Sequence, residues 1–426
     1  MNVIRFFETS GVERPMSGSN KKLIQPIDLD LGDKMKLIPG PEPELEVSVK
    51  RIPIVEGLGK IIPVCEPYLC GNEEKYVAQC IQTNWISSAG RFILDFEREF
   101  ARVCDAKYGI STTSGTTALH LAMNTMGIGP GDEVILPTFT MIASANTVRY
   151  TGARPVLVDS ERITWNMDAN QVKDKITDKT KAIMVMHTYG HPCDMDPILE
   201  LADQHGIFVL EDAAEAHGAD YKGRRIGSIG DAACFSFYAN KIITTGEGGM
   251  ITTNNQEFFK KASNIRDHAF SIERHFWHRY VGYNYRMTNI QAAVGLAQVE
   301  NFDYLVNRRI KNAELYSSLL KDCEGLILPP MTAGIKNVFW MYSIMLEDAF
   351  GISRDELRQR LAKRGIETRT FFIPIHLQPI YHADFKEEEF PVAEDLCRRG
   401  LYLPSASGLT EREINFIAES IKDCRN

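Results

Sequence analysis

The segment "GIFVLEDAAEAHGA" spans residues 206–219, and its apolar opening sets the reading of the fold. A short continuous apolar run bounded by glycine and an acidic pair reads as a strand buried on both faces. Runs of the same kind recur between about 110 and 255: "DEVILP", "RPVLVD", "KAIMVMH", "AACFSF" and "GMITTN". Between them, "TTALHLAMNTMG" and "MDPILELADQHG" carry helical spacing. Alternation of buried strands with helices implies a mainly parallel sheet covered by helices.

Beyond this block the pattern changes. Thr288 with Gln291 has capping-box spacing and opens what reads as one long helix, "IQAAVGLAQVENFDYLVNRRIKNAELYSSLL". A smaller unit follows from about 320. "VFWMYSIML" and "IETRTFF" are strand-like, Ser353 with Glu356 and Gly365 bracket one helix, and Thr410 with Glu413 open another. On the other side, residues 1–60 lack helical periodicity, and "LIPGPEPELEVSVKR" carries three prolines. The expected organisation is an N-terminal extension over 1–60, a large α/β domain over 61–310 and a small C-terminal α+β domain over 311–426.

Composition narrows the class. With 44% hydrophobic and 24% charged residues, the 426-residue chain is ordinary for a globular enzyme. A net charge of -8 argues against nucleic acid as a partner. No apolar run approaches membrane-spanning length, and the first twenty residues lack a secretory pattern. Nine scattered cysteines without a CxxC pair read as free thiols in a reducing compartment, so a cytoplasmic location is expected and a metal site is not.

Three places along the sheet carry chemistry. In "TTSGTTALHLAM", Gly115 and Thr116 stand where a loop turns into a helix, which is either a plain N-cap or an anion cup. Asp212 ends the strand of the opening segment, where ligands of parallel sheets bind; it caps the next turn or faces a ligand. Lys241, in "SFYANKIITTGEGG", follows the next apolar strand and so falls at the same sheet edge. An amine, a carboxylate and a phosphate cup at one edge are what pyridoxal phosphate requires. Its aldehyde takes an amine in a Schiff base, its ring nitrogen needs an acid, and its phosphate needs N–H and hydroxyl donors such as Ser236.

The words "TSGTTALHLAM", "EDAAEAHGA", "FSFYANKIITTGEGGM", "GYNYRMTNIQAAVGLAQ", "PTFTMIASANTVRYTGARPVLVD" and "TRTFFIPIH" resemble the DegT/DnrJ/EryC1/StrS sugar aminotransferases over roughly 61–426. These are fold-type-I pyridoxal-phosphate enzymes. "NWISSAGRFILDFEREFA", "MHTYGHPCDMD" and "FWHRYVGYNYRMTNI" are similar to the branch acting on GDP-linked sugars, although relatives using UDP- and dTDP-sugars share most words.

The resemblance implies that Lys241 is the Schiff-base lysine and Asp212 the pyridine-nitrogen partner. Gly115, Thr116 and Ser236 match phosphate contacts, and Glu215 matches a Gln or Glu beside the ring. Met141 stands where many relatives place a stacking aromatic; its sulfur can pack on a ring. Asn284 matches a residue reaching the neighbouring subunit's phosphate, which implies a homodimer with shared active sites. Trp85, Ser88, His187, Arg286, Arg369 and His376 are substrate-contact candidates, each with a structural alternative. The implied reaction moves an amino group from L-glutamate to C4 of a nucleotide-linked 4-keto-6-deoxyhexose. A sister branch that dehydrates at C3 carries histidine in place of the lysine, so Lys241 favours transamination; a non-catalytic regulator of the same fold is the third reading.

Overall fold

The computed structural model describes residues 60–425 apart from 272 and 275. The extension expected over 1–60 therefore lies outside the described residues, Lys60 excepted. The apolar runs become strands β1 (Tyr108–Thr112), β2 (Glu133–Pro137), β3 (Arg154–Val158), β4 (Thr180–Met186) and β5 (Phe208–Asp212). A short ribbon, β6 (Asp220–Tyr221) and β7 (Arg224–Arg225), precedes β8 (Ala232–Ser236) and β9 (Gly249–Thr253). Seven of these build one sheet in the order β1-β9-β8-β5-β4-β2-β3.

Strands β2, β3, β4, β5 and β8 pair in parallel, while β9 runs antiparallel between β1 and β8. The carboxyl ends of β1, β2, β5 and β8 therefore share one edge. Ile110, Leu136, Ile183, Leu210, Phe235 and Ile251 are fully buried, each worth about 1.5–3 kcal/mol of transfer free energy. Helix Gly115–Met126 leaves the end of β1 under a reciprocal Ser114–Thr117 capping box and stops at Gly127, whose φ of 83° only glycine adopts freely. Helix Ile142–Tyr150 follows β2, with Met141 at its N-cap and Thr151 at its C-cap.

The single long helix expected after Thr288 is two helices, Asn289–Glu300 and Phe302–Leu320. The Thr288–Gln291 capping box forms as expected. Asn301 breaks the run with φ −107° and ψ 18°, and its side-chain amide donates to the Ala297 carbonyl at 3.1 Å. Asparagine competes for backbone partners in this way, and apolar periodicity carries no trace of it.

The C-terminal part adds β10 (Leu326–Ile327), β11 (Ile335–Lys336), β12 (Tyr342–Leu346), β13 (Arg369–Thr370) and β14 (Gly400–Leu403). Four of them form an antiparallel sheet, β10-β12-β14-β13, and β11 joins the β6–β7 ribbon. "IETRTFF" contributes only two strand residues. Helices Arg354–Lys363 and Glu411–Asp423 start at Ser353 and Thr410, each with its hydroxyl accepting the expected N–H. A second apolar cluster, including Tyr316, Tyr342, Phe350, Leu357 and Ile417, packs this part together with Ile62. No helix of the described residues is long and apolar enough to cross a membrane.

Candidate active site

Strand β5 delivers Asp212 to the shared edge, where it is 4% exposed. Burial pushes its carboxyl up, and two donors oppose that shift by favouring the ionised form. Ser144 donates its hydroxyl to Oδ2 at 2.7 Å, and the Ala214 N–H reaches Oδ1 at 3.2 Å. Ser144 lies in the first turn of the helix after β2. Its hydroxyl carried no motif of its own in the sequence, because only the sheet order, with β2 and β5 flanking β4, brings it to Asp212.

Lys241 lies a short loop beyond β8, next to β5 in the sheet. Its side chain is 10% exposed, and Nζ has no hydrogen-bond partner among the described residues. Glu215 Oε1 stands 3.9 Å away. Desolvation lowers the lysine below its ordinary value, against the pull of Glu215 and Asp212. The same desolvation pushes the Glu215 carboxyl up to about 8. Its other oxygen accepts the Tyr189 N–H at 2.8 Å. Lowering of the amine by burial favours its neutral, nucleophilic form.

The third part is the mouth of helix Gly115–Met126. The Ser114 capping box uses the Thr117 N–H, and Ala118 N–H bonds the Ser114 carbonyl. The Gly115 and Thr116 N–H groups have no acceptor among the described residues, so two donors and the positive helix end remain for an anion. A Cβ on Gly115 would sit 2.8 Å from Ser236 Cβ, which places the Ser236 hydroxyl directly beside that mouth. Met141 is 46% exposed at the N-cap of helix Ile142–Tyr150, its sulfur accepting the Ala143 N–H at 3.0 Å.

This donor set fits pyridoxal phosphate on its own chemistry. A buried amine without a hydrogen bond, a buried carboxylate that accepts two hydrogen bonds, and two free N–H groups at a glycine-lined cradle are its three needs.

A family model described as the DegT/DnrJ/EryC1/StrS aminotransferase family matches residues 67–422. The chain belongs to this family. Its curated relatives include a GDP-perosamine synthase of Escherichia coli O157:H7, 45% identical over 365 residues, covering 85% of this chain and 98% of the relative. Another GDP-perosamine synthase, from Caulobacter vibrioides, is 48% identical over 361 residues, covering 84% and 97%. Among solved structures, the putative sugar aminotransferase Spr1654 of Streptococcus pneumoniae, in its PLP form, superposes with a TM-score of 0.81 at 28% identity, covering 86% and 98%. As a DegT/DnrJ/EryC1/StrS aminotransferase, the chain is a pyridoxal-phosphate enzyme with the fold-type-I architecture.

The substrate-contact candidates scatter. Trp85 (56% exposed) and Ser88 lie on the surface, the Trp85 carbonyl accepting from Asn289 at 2.7 Å. Asn284 is exposed and bridges Asp267, and Arg286 is ion-paired to that same aspartate. Arg369 is exposed on β13 and pairs with Glu367 at 3.3 Å. His376 is buried, with Nδ1 on Thr138 Oγ1 at 2.7 Å and Nε2 on Glu394 at 3.2 Å; burial lowers it to about 4.

His187 does not face the cleft. It is fully buried, its Nδ1 accepts the Cys193 N–H at 3.0 Å, and its Nε2 meets Glu211 at 3.2 Å. Period-two alternation puts Glu211 and Asp212 on opposite faces of β5, and His187 goes with Glu211. The sequence reading also passed over Trp340, whose ring faces Lys241 Nζ, Tyr189, whose N–H bonds Glu215, and Arg309, which bonds the Trp340 carbonyl. Their signal is tertiary, since they come from three separate parts of the chain.

Proposed function

We propose that this enzyme transfers an amino group from L-glutamate to C4 of GDP-4-keto-6-deoxymannose, giving GDP-perosamine for a cell-surface polysaccharide such as an O-antigen. The observation that carries this reading is the 45–48% identity to two GDP-perosamine synthases over nearly their whole length. In this reading the protein works in the cytoplasm as a homodimer, with Asn284 reaching the neighbouring subunit's site. The large domain spans 61–310 and the small one 311–426.

Pyridoxal phosphate, when bound, supplies an electron sink for the charge left by a departing α-proton. The chain's residues do the rest. Gly115 and Thr116 N–H groups with the Ser236 hydroxyl hold the phosphate at the helix mouth. Asp212, fixed by Ser144 and Ala214, faces the ring nitrogen and keeps its proton there. Lys241 would hold the cofactor through its Nζ, and the same amine, when free, would act as the general base that takes the donor's α-proton and delivers a proton along the face it occupies. Glu215 stands 3.9 Å from Nζ, and burial raises its carboxyl while lowering the amine, which favours a neutral lysine. Met141 would pack against the bound cofactor, and Trp85, Ser88, Arg286, Arg369 and His376 would meet the sugar nucleotide; the side-chain packing of His187 supports a structural role instead.

The test is direct. Purified protein is incubated with L-glutamate and GDP-, UDP- and dTDP-4-keto-6-deoxyhexoses, and products are identified by mass. An aminated GDP-sugar formed at least about tenfold faster than the others, a preference one well-placed contact can give, supports the proposal. Preference for a UDP- or dTDP-sugar overturns the nucleotide assignment, and a deoxy-keto product without added nitrogen overturns transamination.

A further inference from the structure

The buried surroundings of Lys241 contain an arrangement that the transamination scheme does not use. Trp340, 3% exposed, comes from the segment leading into β12, a hundred residues beyond the lysine. Its indole ring centroid lies 3.8 Å from Lys241 Nζ. Its Nε1–H donates to the carbonyl of Asn240, the residue immediately before the lysine, at 2.9 Å. One side chain therefore grips both the backbone that carries Lys241 and the face along which its amine lies.

The indole is itself held from behind. The Arg309 guanidinium, 2% exposed, donates through Nη1 to the Trp340 carbonyl at 2.9 Å and through Nε to Ser407 Oγ at 3.0 Å. Its Nη2 reaches Cys65 Sγ at 3.2 Å, and that thiol donates to the same Asn240 carbonyl at 3.3 Å. Arg309 has no carboxylate partner among the described residues. A buried guanidinium retained without a counter-charge is costly to keep, and here two of its donors go to Trp340 and Cys65, the two residues that bond the Asn240 carbonyl.

The backbone on both sides is constrained to fit. Tyr189 and Phe339 adopt φ of 53° and 47°, unusual for bulky residues. Gly190 lies between them with φ 99°, and a Cβ there would meet Trp340 N at 2.8 Å. The Val338 N–H closes on the Gly190 carbonyl at 3.1 Å.

We propose that Trp340 is a positioning residue for Lys241, fixing the approach of its amine to the cofactor aldehyde through the Asn240 carbonyl and the indole face. This inference rests on the assignment of Lys241 as the cofactor-linking residue. The step it serves forms a C=N bond from the free amine of Lys241, and the aldehyde oxygen leaves as water carrying both of the amine's protons. A ring face near the nitrogen and a fixed preceding carbonyl limit the rotamers Nζ samples.

The experiment separates positioning from packing. Apoprotein of the wild type, Trp340→Phe and Trp340→Leu is mixed with pyridoxal phosphate, quenched with borohydride at intervals, and the reduced link at position 241 is quantified by peptide mass. Binding of pyridoxine 5'-phosphate, which has no aldehyde, is measured in parallel. Phe keeps a ring face but loses the N–H; Leu loses both. The link is expected to form about threefold more slowly in Trp340→Phe and about tenfold or more in Trp340→Leu, as misplacement of a reacting group requires. Affinity for pyridoxine 5'-phosphate should stay within about twofold of wild type, because the phosphate cup and Asp212 are untouched.

Linking rates within twofold of wild type in the folded variants overturn the proposal. So do equal losses of linking and of pyridoxine 5'-phosphate affinity, which mark a packing role alone. If Trp340→Leu does not fold, the near-isosteric Trp340→Phe decides by itself. A wild-type protein that forms no link at 241 refutes the lysine assignment instead, and that outcome is distinct from both.

Discussion

The two faces of strand β5 bury the same functional group to opposite ends. On one face, Glu211 is fully buried and saturated. Its oxygens accept from the Ile229 and Gly230 N–H groups at 3.1 and 2.7 Å, from Gly227 at 3.2 Å and from His187 at 3.2 Å. On the other face, Asp212 has two donors, and the neighbouring Glu215 and Lys241 are left with an amine that bonds to nothing. Adjacent residues, one period-two step apart, thus divide into a closed knot that ties the loop 227–230 to the sheet and an open site that retains unmet valence. Saturation marks structure, and unmet capacity in a buried place marks chemistry.

That contrast is broken most severely at the open face. Lys241→Ala should lower transamination by at least about a thousandfold, as loss of a covalent-catalytic amine does, while the protein stays folded by circular dichroism. An active Lys241→Ala enzyme would end the reading of the site. Asp212→Asn comes next, with an expected loss of about a hundredfold or more in kcat, on the scale of removing one preorganised charge, and with Tm changed little.

The closed face should respond in the opposite sense. Glu211→Gln keeps the shape but offers an NH2 group to donors that need an acceptor, so about 2–4 kcal/mol of stability should disappear. Urea denaturation reads the loss, and kcat of the protein that remains folded should hold. A Glu211→Gln variant with wild-type stability and no activity would erase the distinction between the faces.

The smallest expected effect is a pH dependence. Glu215 is pushed from 4.5 up to about 8 in the native state. Between those values the folded protein binds more protons here than the unfolded chain, so this group's contribution to stability is present below about 4.5 and falls away as pH rises towards 8. Lys241, held below its ordinary 10.5, binds fewer protons folded than unfolded, so its contribution rises with pH on the alkaline side. Thermal melts of apo Glu215→Gln should show a flatter decline from mildly acidic to neutral pH than the wild type. Parallel curves would show that Glu215 ionises normally.

Local patterns specified a large share of the molecule. Apolar runs placed β2, β3, β4, β5, β8 and β9, because a doubly covered strand must be apolar along its whole length. Capping words placed the starts of helices at Thr288, Ser353 and Thr410, because a cap is satisfied within four residues of chain. Strand ends then brought Asp212 and Lys241 to one edge. The break at Asn301, the inward turn of His187 and the two-residue β13 escaped, because each depends on hydrogen bonds whose partners the periodicity does not encode.

What the sequence by itself determined is most of the sheet, three helix caps and the placing of Lys241, Asp212 and the Gly115–Thr116 helix start at one edge, because these follow from short-range spacing and residue chemistry. Only the tertiary structure decided which acid of Glu211–Asp212 is closed and which is open, that Ser144 holds Asp212, and that Trp340 and Arg309 back the lysine. Those choices depend on segments up to a hundred residues apart meeting in a low-dielectric interior, where a partner's presence or absence sets the state of every buried charge.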